Sequence, residues 1–182
     1  TWISARLPNS FTLRSRADDK IDNRIMALGT NDGTKRNAYF GMAQRIFCNN
    51  QIRTIMQSAN ESDYWISHTK NWENRLDQAK KGFYAALRGL KTFEELANKL
   101  DTVKMTSDEC RGFASILLPD PERKKDEKGK EIEVRSTSRI TNRREKIVDL
   151  FCNGAGNLGA TRWDALNGLT EYVNHHNNIG KL

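Results

Sequence analysis

The stretch Asp22-Asn23-Arg24-Ile25-Met26-Ala27-Leu28-Gly29-Thr30, then Asn31-Asp32-Gly33, then Thr34-Lys35-Arg36-Asn37-Ala38-Tyr39-Phe40-Gly41-Met42, decides the fold class. Two strand-like runs flank an Asp-Gly pair, and Asp-Gly supplies the positive φ angles that a tight hairpin turn demands. A hairpin is therefore expected here, with Lys35 and Arg36 just past its turn. Working toward the N-terminus, Thr1–Pro8 reads as a short strand ended by Pro8, and Ser10–Arg16 as a second strand carrying Phe11 and Leu13. The first third of the chain is thus expected to be an antiparallel β-meander.

Toward the C-terminus the apolar period changes from two to 3.6. Cys48, Ile52, Ile55 and Met56 fall on one helical stripe, so a first helix is expected from about Gln44. The segment 63–69 reads as a short strand or a connection. The longest helix pattern follows, with Trp72, Leu76, Ala79, Phe83, Leu87 and Leu90 on one face. Thr92-Phe93-Glu94-Glu95 and Thr106-Ser107-Asp108-Glu109 both have the form of a capping box. The second is expected to open a helix carrying Cys110, Phe113, Ala114 and Leu117 and stopping at Pro119. Residues 119–135 contain charge, Pro and Gly with almost nothing apolar, and read as a solvated loop. A helix over about 137–152 should face Ile140, Ile147, Val148 and Phe151 inward and Arg139, Arg143, Arg144 and Lys146 mostly outward. After Asn153-Gly154, Thr161 with Asp164 three positions on should cap a last helix that buries Trp163, Leu166, Leu169 or Thr170, and Val173. We expect Trp163, Leu166 and Val173 to pack against the helix of Trp72, Phe83 and Leu87.

This order gives an α+β fold: an N-terminal antiparallel β-meander with a hairpin, followed by four to five helices, in one domain. Within it, 1–58 is mainly β plus the first helix, 59–118 helical, 119–135 a charged loop and 136–182 two C-terminal helices. The 182 residues, 37% hydrophobic and 29% charged, suffice for a core and are too apolar for a disordered chain. No run approaches the roughly 18 apolar residues that a membrane span needs, and the first ten residues, without a charged head and an apolar stretch, are not expected to be a signal peptide. The chain opens without Met, inside a strand-like run, so the natural protein is expected to have sequence before it. Cys48, Cys110 and Cys152 each sit among apolar neighbours and read as buried free thiols, which suits a reducing, cytoplasmic compartment.

The net charge of +7 is unevenly distributed. Residues 1–58 hold nine Lys/Arg against four Asp/Glu, a balance of +5, and residues 123–146 hold ten against five, again +5. Between them, residues 59–122 hold nine against eleven, and residues 147–182 hold two against three. Two basic regions separated by near-neutral helices suit a phosphate-rich partner if the fold brings them together, and two unrelated solvated faces if it does not.

Signs of enzymatic chemistry are few. The sequence has no Gly-rich phosphate loop and no Cys-x-x-Cys pair. Gly154-Ala155-Gly156-Asn157-Leu158-Gly159 has the outline of a dinucleotide fingerprint but follows a helix, so it reads as a turn between helices. His68 reads as structural, and His175-His176 lacks the spaced partners of a metal site. No catalytic residue, cofactor or metal is assigned; a metal-dependent nuclease built from the many Asp and Glu residues stays open. Arg139 and Arg143 lie four apart with Lys146 three further on, a row of cations on one helical face. Of Trp65, Trp72 and Trp163, the last two sit on apolar stripes, which leaves Trp65 as the candidate to offer a base a stacking surface.

Several stretches resemble a family of phage- and plasmid-borne proteins known mainly by a domain-of-unknown-function label. They are Thr1–Pro8, Asn31-Asp32-Gly33-Thr34, Arg45–Asn50, Ile66–Thr69 and, most specifically, Gly159-Ala160-Thr161-Arg162-Trp163-Asp164-Ala165-Leu166-Asn167 with Thr170–His175. The family's pattern has further sequence before the first of these. In layout, a β-meander followed by helices with a basic surface, the chain is also similar to single-strand annealing recombinases. Those proteins form rings or filaments and hold single-stranded DNA without ATP. That likeness implies a groove lined by Lys35, Arg36, Arg45, Arg139, Arg143 and Arg144. The expectation is a single-stranded DNA-binding, strand-annealing recombination protein, homo-oligomeric and cytoplasmic in a prokaryotic host. The alternative is a module that binds a host or phage protein, such as an inhibitor of a host defence complex or a replication accessory factor.

Overall fold

The computed structural model describes residues 2–28, 37–46, 51–54, 65–66, 73–120, 124–125, 131–132 and 136–176. The chain clusters into two compact units, Thr1–Lys99 and Leu100–Leu182.

The first unit is built on a six-stranded antiparallel sheet. Its two long strands, β3 (Arg16–Leu28) and β4 (Asn37–Arg45), pair from Ile21↔Arg45 to Leu28↔Ala38, as the hairpin reading required. Residues 29–36, with Asn31-Asp32-Gly33 and the candidates Lys35 and Arg36, lie outside the described residues. Along the outer edge of β3, β1 (Trp2–Arg6) and β2 (Phe11–Leu13) follow end to end. Along the outer edge of β4 stand β5 (Gln51–Thr54) and β6 (Trp65–Ile66). The helix expected from Gln44 is therefore corrected: β4 continues to Arg45, and 51–54 is a strand. The apolar spacing of Cys48, Ile52, Ile55 and Met56 suits a helix, but edge pairing with β4 satisfies the backbone of 51–54 and overrides that local preference. Trp65 lies on β6, where it stands opposite Ala38.

Residues directly opposite in an antiparallel sheet share a face. One face of the sheet thus carries Phe11, Ile21, Asn23, Ile25, Ala43 and Arg45, all buried. Phe11 meets Phe93 of α1 (Glu73–Thr102) edge to face, with ring centroids 6.5 Å apart. Helix α1 runs unbroken through Thr92, which corrects the first capping box: Leu90, Phe93 and Ala97 keep one buried stripe across that position. The stripe itself is shifted from the one expected. Gly82, Ala85, Ala86 and Gly89 are buried while Phe83 is 39% exposed. Trp72 lies outside the described residues.

The second unit holds α2 (Ser107–Leu117), α3 (Ser136–Asn153), α4 (Arg162–Glu171) and a π-helical turn over Tyr172–His176. The charged segment is not all loop, for Lys124–Lys125 (β7) and Glu131–Ile132 (β8) pair antiparallel. Helix α2 has the capping box predicted for it, with Glu109 N–H donating to Thr106 Oγ1 at 3.2 Å and Thr106 N–H to Glu109 Oε2 at 2.7 Å. Cys110, Val148, Phe151 and Ala165 form one apolar cluster, and Ala114, Ile147, Leu150 and Tyr172 another. Leu117 is exposed rather than inward, because α2 turns Cys110 and Ala114 to the core. The free thiol of Cys110 is buried and that of Cys152 half-buried; Cys48 lies outside the described residues. Trp163 is wholly buried, whereas Val173 is 44% exposed in the π-helical turn. The inward placement expected of Val173 and Phe83 is corrected accordingly, for both side chains are exposed.

Candidate nucleic-acid interface

Each basic candidate must first be separated from the cations that the fold consumes. Arg45 belongs to the fold. It stands opposite Ile21 on the packed face, its side chain is 1% exposed, and Nε donates to Asp19 Oδ1 at 2.7 Å. Nη2 donates to the second oxygen, Oδ2. A bidentate pair sealed from water offers nothing to a phosphate, so the assignment of Arg45 to a groove is corrected.

Helix α3 divides its cations in the same way. Arg144 donates through Nε to the Leu118 carbonyl at 2.8 Å and pairs with Asp120 at 2.9 Å, which closes the C-terminal end of α2. Its place in a groove is corrected too, because the guanidinium is committed to an orphan helix carbonyl. Lys146 pairs with Asp149 one turn on, at 2.7 Å. Arg139 is exposed and Arg143 half-buried, and neither forms an ion pair among the described residues. Like charges four apart on a helix repel, so these two arginines gain from an anion beside them. Lys35 and Arg36 lie outside the described residues.

The sheet carries a second basic feature that sequence reasoning missed. On the face opposite the packed one, Arg6 of β1 stands across from Arg24 of β3, Arg24 across from Met42 of β4, and Met42 across from Arg53 of β5. Arg6 donates to Asp22 at 2.8 Å. Three arginines in one transverse row come from residues far apart in the chain, and only strand register brings them into line. Alternation within β3 was the one signal available, and it does not give the partner strands.

The most recognisable stretch, Gly159–Asn167, serves the fold. Asp164 is fully buried and accepts from the N–H groups of Leu158 (3.2 Å), Ala160 (3.0 Å) and Thr161 (3.1 Å) and from Thr161 Oγ1 (3.2 Å). Asn167 Nδ2 donates to the Trp163 carbonyl at 2.8 Å, and Asn157 Nδ2 to the Leu150 carbonyl at 2.8 Å. Gly156 and Gly159 hold positive φ angles of 73° and 62°, so this run is a turn between helices, as the sequence suggested. A Cβ on Gly168 would lie 2.8 Å from the Phe151 backbone nitrogen, so α3 and α4 pack almost backbone to backbone.

Among the described residues no group of three His, Cys, Asp or Glu side chains is placed to hold a metal, and no helix is long and apolar enough to cross a membrane. His175 and His176 are exposed, and His68 lies outside the described residues. The model of the family "Domain of unknown function (DUF932)" matches residues 1–180, and the chain belongs to that family. No curated protein and no solved structure matches the chain.

Proposed function

We propose that this member of the family binds single-stranded DNA through its backbone phosphates and acts as a strand-annealing protein of a phage or plasmid. It works without ATP, as a homo-oligomer in the cytoplasm of a prokaryotic host. The observation that supports this most is the pair Arg139 and Arg143, one turn apart on α3 and outside every ion pair among the described residues. They lie in the segment 123–146, where ten cations face five acids. Cations that the fold leaves uncommitted can neutralise DNA phosphates and displace the counterions condensed on the DNA, and that release drives binding.

The reading is tested by fluorescence anisotropy on a labelled oligo-dT across a salt series. The expected log–log slope is about −0.7 for each phosphate contacted. Affinity that does not change with salt overturns the proposal. Annealing of complementary oligonucleotides without nucleotide, and light scattering with and without DNA, test the activity and the assembly.

A second reading, a module that docks on a host or phage protein, draws on the end of α2. Ile116 is 79% exposed there beside exposed Leu117, an apolar pair turned to solvent. Loss of a co-purifying partner from Ile116→Ser, with no DNA affinity in the parent, would favour this reading.

A further inference from the structure

Arg24 lies half-buried on the second face of the sheet, which also carries the buried Asp22 and Met42. Its Nε is buried, and no acceptor meets it among the described residues. Its neighbour directly across the ladder is Arg6, another guanidinium, and like charges in that position repel. Asp22, the acid two positions earlier on the same face, bonds Arg6 instead. Ser4 stands opposite Met26, one rung along the same face, and its buried Oγ also has no partner among the described residues.

Buried donors without partners are rare in folded proteins, because each forfeits its hydration. Two on adjacent rungs of one face, beside a second arginine, have one economical explanation: an oxyanion that accepts from both. We infer that Ser4, Arg6 and Arg24 form a phosphate-binding site on the sheet, and that the phosphate belongs to the single-stranded DNA backbone. The inference rests on the proposed function and adds a contact surface in the first unit to the α3 arginines of the second. The row that contains the site continues through Met42 to the position of Arg53. From β1 to β5 it crosses three inter-strand spacings, about 14 Å in all.

The variant that tests the site is Arg24→Met, which keeps the aliphatic stem and removes the guanidinium with its unpartnered Nε. An arginine placed for binding costs the fold, so the variant should melt at the parental temperature or higher. It should bind labelled oligo-dT about tenfold more weakly, as the loss of one charge-assisted hydrogen bond implies. Its salt slope should be shallower by about 0.7. Arg24→Lys, which keeps the charge but not the fork, should recover part of the affinity, and Ser4→Ala should lose part of it. A parent that binds with Arg24→Met binding equally well overturns the site and leaves the proposed function standing. A parent that does not bind oligo-dT overturns both. A melting temperature lowered by several degrees in Arg24→Met makes the arginine structural and overturns the site.

Discussion

Arg45 and Asp19 meet at 2.7 Å inside the first unit, with side chains only 1% and 2% exposed. Two charges shielded this well are stable only while both are present. Removing one leaves the other unpaired at a cost of about 3–5 kcal/mol. Arg45→Ala and Asp19→Ala should therefore each lower the urea midpoint strongly. The double variant Asp19→Leu/Arg45→Met should recover most of the loss, since a packed apolar pair can replace a buried ion pair. If the single variants unfold at the parental midpoint, the pair does not hold the sheet together.

Arg139→Glu/Arg143→Glu tests the interface without touching the core. Among the described residues of α3 the buried ones are Ile147, Val148, Leu150 and Phe151, and charges outside an ion pair that keep contact with water contribute at most about 1 kcal/mol to stability. The double variant should melt like the parent, bind single-stranded DNA far more weakly and show a salt slope shallower by about 1.4. Parental affinity in the double variant would remove α3 from the interface.

The capping carboxylate of α2 gives a pH prediction. The Thr106 backbone N–H, followed by its hydroxyl, bonds Glu109 and holds its pKa below the usual glutamate range. Because the folded value is the lower one, the stabilisation is complete above the unfolded value of about 4.3. It is lost as pH falls through the depressed folded value. Glu109→Gln keeps a side chain that can close the box but does not titrate. Its melting temperature should fall less steeply than the parent's between about pH 5 and pH 3. Equal slopes would mean that the acid limb belongs to other carboxylates, Asp149 with its Lys146 partner being the next to test.

Cys110 should resist modification. Burial pushes its thiol up to about 11, with Cys152 nearby adding to the effect and Arg111 opposing it. At pH 8 only about one molecule in a thousand carries the thiolate that reacts. Iodoacetamide followed by peptide mass spectrometry should label Cys110 only when urea opens the second unit. Rapid labelling of the native protein would show that the Cys110, Val148, Phe151 and Ala165 cluster opens readily.

Much of the fold was legible because short-range chemistry encodes it. The β3–β4 hairpin follows from Asp32-Gly33 between two strand-like runs, and α2 and α4 from capping boxes at Thr106 and Thr161. What failed depended on distant partners. β5 looked helical by spacing and became a strand because β4 offered an edge. Thr92 looked like a cap, but a cap is a local option, and the stripe through Leu90, Phe93 and Ala97 continues past it. The candidate site was the least legible part. Composition locates positive charge but does not say which cations the fold uses, and Arg45 and Arg144 turned out to be used. Arg6 and Arg24 drew no notice because their alignment exists only in the register of β1 on β3.

Gly168→Ala and Asp164→Ala probe the turn between α3 and α4. The added methyl has 2.8 Å to the Phe151 nitrogen, so the helices must separate, at about 1–3 kcal/mol. Asp164→Ala strands the N–H groups of Leu158, Ala160 and Thr161, and should destabilise by about 3 kcal/mol or more. Thermal melts of both variants should agree with those costs. A parental melting temperature for either would show that the turn relaxes freely.

That turn also bears on how the chain reaches its native state. Its bonds join residues only three to seven apart in sequence, from Thr161 and Asp164 to Asn157 and Leu150. The β1–β3 ladder, by contrast, joins Trp2 to Leu28. Closing a ten-residue loop takes tens of nanoseconds, while pairing distant strands first costs loop entropy. The α3–α4 hairpin can therefore assemble while the sheet is still searching for its register. Late in folding, the exposed backbone edges of β3 and β4 would be the last sites open to another copy of the chain, so crowding during synthesis threatens the sheet before it threatens the helices.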